Sequence, residues 1–168
     1  MGEKVDDSHS ARDRLEARGD YGDAAVQADE GRYESAKTAM NAGELQDALD
    51  AFEALGDVQD APEQAQRCRY RRAQRGMGAG EYDEAIALYE ACGAYLDAED
   101  GAMQARYAKA AALFDAQEYE AAAEAFAELG SYEDAKQRVT DSEDAWLSAE
   151  YKRARMDTER GNYASVTD

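Results

Sequence analysis

The residues that ordinarily carry catalysis are thin in this chain. His9 is the only histidine, so a Ser-His-Asp triad or a histidine-bearing zinc site would rest on one imidazole in a segment expected to be mobile. Asp97-Ala98-Glu99-Asp100-Gly101 has the flavour of a calcium loop, yet the alternating acids and distal glutamate of that motif are out of place. The acids read instead as the first turn of a helix, where the helix dipole favours them. Gly76, Gly78 and Gly80 invite comparison with a phosphate loop, but no Lys-Ser/Thr follows and no strand precedes them, which leaves a loosened helix end. Cys68 and Cys92 share no short metal or redox spacing and read as small residues of a reducing compartment. With 38 acidic against 19 basic residues, carboxylate pairs carry no information. No enzyme activity, metal or cofactor is expected.

Recognition has better-placed candidates. Tyr33, Tyr70 and Tyr107 stand 37 residues apart, and Tyr151 follows in a similar context. Basic residues gather near them, most densely as Arg67, Arg69, Arg71, Arg72 and Arg75, with Lys37 before and Lys152, Arg153 and Arg155 after. Acids dominate other segments: 43–57, 80–94 and 117–131 hold five, four and four of them and no Lys or Arg. One reading makes Tyr33, Tyr70, Tyr107 and Tyr151 a ladder along a groove, with Lys37, Arg67, Arg71 and Arg155 offered to an acidic side chain or a C-terminal carboxylate. The other packs the rings between helices and pairs the cations with acids on neighbouring helices, offsetting self-repulsion. Both remain open at the level of sequence.

The elements that would position these residues follow from an internal period. Gly19-Asp20-Tyr21-Gly22-Asp23-Ala24 returns as Gly56-Asp57-Val58-Gln59-Asp60-Ala61, Gly93-Ala94-Tyr95-Leu96-Asp97-Ala98 and Gly130-Ser131-Tyr132-Glu133-Asp134-Ala135, each 37 residues after the last. A unit this short cannot bury its own apolar face and must stack on its neighbours. Ala42-Gly43-Glu44-Leu45, Ala79-Gly80-Glu81-Tyr82 and Ala116-Gln117-Glu118-Tyr119 mark a second corner in each unit. The helix after that corner carries Leu45, Ala48, Leu49, Phe52 and Leu55, and its equivalents do the same at steps of three and four. The helix before it is predicted to start at Asp23, Asp60, Asp97 and Asp134, whose carboxylates suit backbone N–H groups. Whether it is one long helix or two short ones is open, because Ala98, Ala102 and Ala105 lie on a different face from Tyr107, Ala110 and Phe114.

Helix formers dominate and Pro62 is the only proline, so the chain is expected to be all-α. The predicted fold is an α-solenoid of stacked antiparallel hairpins with three full repeats (23–59, 60–96, 97–133), half repeats at 10–22 and 134–166, and a mobile tail over 1–9. Residues 10–18 read as a second helix without its first. The stretch before Tyr151 is seven residues longer than in the other units, with Asp141, Ser142, Glu143, Asp144 and Trp146 in the insertion, and Gly161-Asn162-Tyr163-Ala164 is expected to turn into a second helix that is not completed.

Gly80-Glu81-Tyr82-Asp83-Glu84-Ala85-Ile86-Ala87-Leu88-Tyr89 resembles the turn and second helix of a tetratricopeptide repeat, and Ala36, Ala73, Ala110 and Ala154 match that family's small residue in the first helix. The resemblance covers about residues 11 to 166 and is closest to a longer bacterial variant whose units end in Leu-Gly-x-Tyr-x-Asp-Ala. The chain departs from the 34-residue family pattern by three extra residues per unit, by Arg69, Arg72, Arg106 and Lys109 at usually apolar positions, and by lacking a proline after the second helix. The family's carboxylate-clamp residues do not transfer to this sequence. The resemblance implies a concave groove lined by first helices and a protein or peptide as partner.

The function so implied is a cytoplasmic adaptor that does no chemistry. A formal charge of −19 repels phosphate backbones, so nucleic acid is not an expected partner. No apolar run approaches membrane-spanning length. Two rivals stand beside it: a head-to-tail homo-oligomer joined through open half repeats, and an acidic mimic of nucleic acid that occupies a basic protein.

Overall fold

A computed structural model describes residues 6–164, with side chains over 22–161. Seven helices and the turns between them account for the described residues, and none is a strand. They fall into two compact units, divided between Arg71 and Arg72.

The first unit holds α1 (Asp6–Ala42), α2 (Leu45–Leu55) and the start of α3 (Ala61–Ala79). The α2 stripe is buried along its whole length, from Leu45 through Ala48, Leu49 and Phe52 to Leu55. It meets Tyr33, Ala36 and Met40 of α1 and Ala61, Ala65 and Cys68 of α3 in one cluster. The second unit takes the rest of α3, then α4 (Tyr82–Cys92), α5 (Ala98–Asp115), α6 (Tyr119–Glu128) and α7 (Ala135–Ala164). Its helices pack in sequence order, α4 on α5, α5 on α6 and α6 on α7. Phe126 is fully buried beside Ala110, Ala122, Leu129 and Ala135. The fold is an all-α helical repeat.

Both corners of the unit have a physical explanation. At the first, Gly43 donates its N–H to the Met40 carbonyl and Glu44 to that of Ala39, with Gly43 at φ 86°. This is a Schellman closure of the helix end, which needs a left-handed residue. Gly80 repeats it at φ 79°, and Gln117 fills the same position at φ 65° without being glycine. The second corner turns on two left-handed residues each time, Gly56 with Gln59, Gly93 with Leu96 and Gly130 with Glu133.

The first helix of each unit is one helix with two faces. In α5 the early turns meet α4, with Gly101 against the Tyr89 ring, and the later turns meet α6, with Phe114 edge-on to Tyr119 at 5.3 Å. The predicted corner at Gly19 does not form, because α1 runs through it. Residues 10–22 are therefore turns of the first helix and not a separate second helix. Glycine inside a helix costs only about 1 kcal/mol, which the continuous α1 bears at Gly19. The predicted insertion at 141–146 and the corner at Gly161 are likewise helical, inside α7. Seven residues make about two helical turns, so the insertion lengthens the helix without rotating its faces. The predicted tail falls partly on residues 1–5, outside the described residues.

Candidate interaction surface

In the first unit the Tyr33 ring lies edge-on to Phe52, with centroids 5.7 Å apart, and its hydroxyl donates to the Asp60 carboxylate. That carboxylate also accepts from Gln64 Nε2 at 2.9 Å. Tyr107 repeats the arrangement in the second unit, packing on Phe126 at 5.3 Å and donating to Asp134. The start-of-helix aspartates thus differ from their predicted role: Asp60 and Asp134 receive a tyrosine hydroxyl from 27 residues earlier, and Asp97 makes no side-chain cap bond. The hydrogen bond from Tyr33 holds the Asp60 carboxyl below its usual range, and the same bond, helped by burial, pushes the Tyr33 phenol up to about 12. Tyr107 is raised for the same two reasons.

The cations divide by what they touch. Arg69 pairs with Glu53 of α2, and Arg72, Arg106 and Lys109 pair with Glu84, Glu90 and Asp83 of α4. These charged residues of the first helices are therefore matched by the acids of the second helices. Lys37 sits 5.3 Å from the Tyr33 ring and pairs with Glu34. Arg71 is half-buried and donates to the Met40 carbonyl at 3.1 Å. Tyr70 is half-buried and Arg67 exposed. Tyr151 is 72% exposed, and Arg155 is exposed and paired with Glu159. Of the candidate residues, Tyr33 and Tyr107 serve the hairpin seams, while Arg67, Tyr151 and Arg155 face solvent.

One surface has no counterpart in the sequence reading. Because α7 is 30 residues long and α6 only 10, the two extend about 45 and 15 Å at the standard helical rise. Ala135, Val139 and Ser142 of α7 pack against the unit, and the turns beyond them pass the start of α6. A cleft of about 700 Å³ lies there, between Gln117 and Tyr119 on one side and Ala149, Lys152, Arg153 and Met156 on the other. Its traces in the sequence were the two-turn insertion and the basic residues Lys152 and Arg153.

Among the described residues no cluster of three His, Cys, Asp or Glu side chains is placed to hold a metal. Cys68 and Cys92 are buried thiols outside any disulfide, and burial pushes that of Cys68 up. No described helix is long and apolar enough to cross a membrane. Gly80 serves a turn, while Gly76 lies where α3 and α4 are close, a Cβ there sitting 3.4 Å from Ala85. No protein family model, curated protein or solved structure matches this chain.

Proposed function

We propose that this chain is a tetratricopeptide-like interaction scaffold that binds a segment of another protein and performs no chemistry. The observation that carries the reading is the recurrence of one seam, Tyr33 on Phe52 and Tyr107 on Phe126, each tyrosine tied to an aspartate 27 residues later. A seam repeated in this way spends its polar groups on joining helices, and the side chains left over vary from one unit to the next, as a binding surface requires. The acidic balance favours a protein partner over nucleic acid, and the reading places the chain in the cytoplasm.

Affinity purification with mass spectrometry tests it. Wild type should recover a defined partner that Arg67→Ala/Arg71→Ala or charge reversal on α7 depletes. Equal recovery of every protein by all variants would remove the scaffold reading.

A further inference from the structure

Ala135, Ser142, Ala149 and Met156 recur every seven residues along α7 and so share one face. The first two are fully buried against the unit, whereas Met156 is 59% exposed. An interior face therefore continues into solvent. Ala145, Ser148 and Ala149 leave room on it for a close backbone approach, and Lys152, Arg153 and Arg160 rim it with Asp157 as the one acid among the cleft residues. Arg153 also lies 3.7 Å from Glu150 beside the cleft, and the lining itself keeps three cations to one acid in a chain of net charge −19.

The second unit already contains a surface of this kind with its occupant in place. On α5, Gly101 and Ala105 offer a small-residue face, Arg106 and Lys109 flank it, and α4 lies across it with Tyr89 on the glycine, Glu90 on Arg106 and Asp83 on Lys109. Matching Tyr151 to Tyr107 matches Ala145 to Gly101, Ala149 to Ala105 and Arg153 to Lys109, and puts Glu150 where Arg106 stands. The projecting half of α7 thus repeats, two turns farther along, the small-residue face and one of the two flanking cations that α5 turns to an acidic helix.

We infer that the cleft between α7 and the start of α6 docks an acidic amphipathic helix of a partner protein, seated on Ala145, Ala149 and Met156 and held by Lys152, Arg153 and Arg160. This rests on the scaffold reading and names the site and its class of ligand.

The test uses the full chain and two labelled peptides followed by fluorescence anisotropy. One carries the sequence of residues 80–94 with Cys92 replaced by Ser, and the other has its acids changed to the corresponding amides. The acidic peptide should bind, weaken as salt rises, and lose about tenfold or more in affinity to Lys152→Glu/Arg153→Glu/Arg160→Glu. Met156→Ser should weaken it further, and circular dichroism should show these exposed changes leaving the fold intact. Several outcomes overturn the inference: equal binding of both peptides, indifference to the charge reversal, loss through Leu147→Ser/Tyr151→Ser on the opposite face, displacement by a short DNA strand at lower concentration, or a wild-type dimer dissolved by the reversal. Each of these concerns the cleft alone. The scaffold reading fails separately, when purification recovers no partner that any surface variant affects.

Discussion

Tyr33 decides more about the hairpin seam than its place in a column of tyrosines suggests. Its ring fills the space beside Phe52 while its hydroxyl donates to Asp60, so one side chain closes both the apolar and the polar part of the joint. The folded phenol titrates at about 12 against an ordinary value of 10.0, so its contribution is complete below the unfolded value and drains away as pH rises through the folded one. Asp60 has the opposite sense: its depressed pKa gives stability present above the usual carboxylate range and lost on acidification. Tyr33→Phe should therefore weaken the protein at neutral pH and flatten its alkaline unfolding curve, followed by circular dichroism alongside phenolate absorbance. An unchanged curve would separate Tyr33 from the seam. The period put Tyr33 and Tyr107 in equivalent places, but spacing within one helix cannot tell a ring in a groove from a ring in a seam. That distinction needed the aspartate 27 residues away, which sequence reading assigned to backbone capping.

Corners set the length of each element, and they differ in how well their residues suit them. Gln117 occupies the left-handed position that Gly43 and Gly80 fill elsewhere. An L side chain there costs about 1–2 kcal/mol, part of which glycine returns through its greater unfolded-state freedom. Gln117→Gly should raise stability by about 0.5–1 kcal/mol in urea denaturation. A loss would mean that the Gln117 side chain contributes to the closure. Helical glycines give a sharper contrast. A Cβ on Gly101 would meet the Tyr89 ring at 2.7 Å, while one on Gly31 meets nothing within 4 Å. Gly101→Ala should thus cost about 1–3 kcal/mol despite better helix propensity, whereas Gly31→Ala should gain up to about 1 kcal/mol. Equal effects would contradict the packing of α4 on α5. The apolar stripe of α2 and the corners at Gly43 and Gly80 were legible, since period and glycine both mark them. The uninterrupted α1 and α7 were not, because Gly19 and Gly161 look like the glycines of real corners, while a helix can carry a glycine at a cost of only about 1 kcal/mol.

At the scale of the molecule, charge and repetition act together. The exposed ion pairs from Arg69, Arg106 and Lys109 are worth about 0–1 kcal/mol each, less than screening stands to return in a chain of net charge −19. Raising salt from a low to a physiological concentration should therefore raise Tm, and a fall would show the pairs to dominate. The same acidity makes the cationic cleft on α7 conspicuous. The central claim is that these hairpins offer a protein partner a surface and not a reaction. The most direct measurement places a photo-crosslinking residue at Ala149 in the cleft and, in a second variant, at Ala87, an exposed position of α4. The account expects one partner crosslinked at Ala149, lost when Lys152, Arg153 and Arg160 are reversed, and little at Ala87. Equal crosslinking at both sites, or none that depends on those cations, would contradict it.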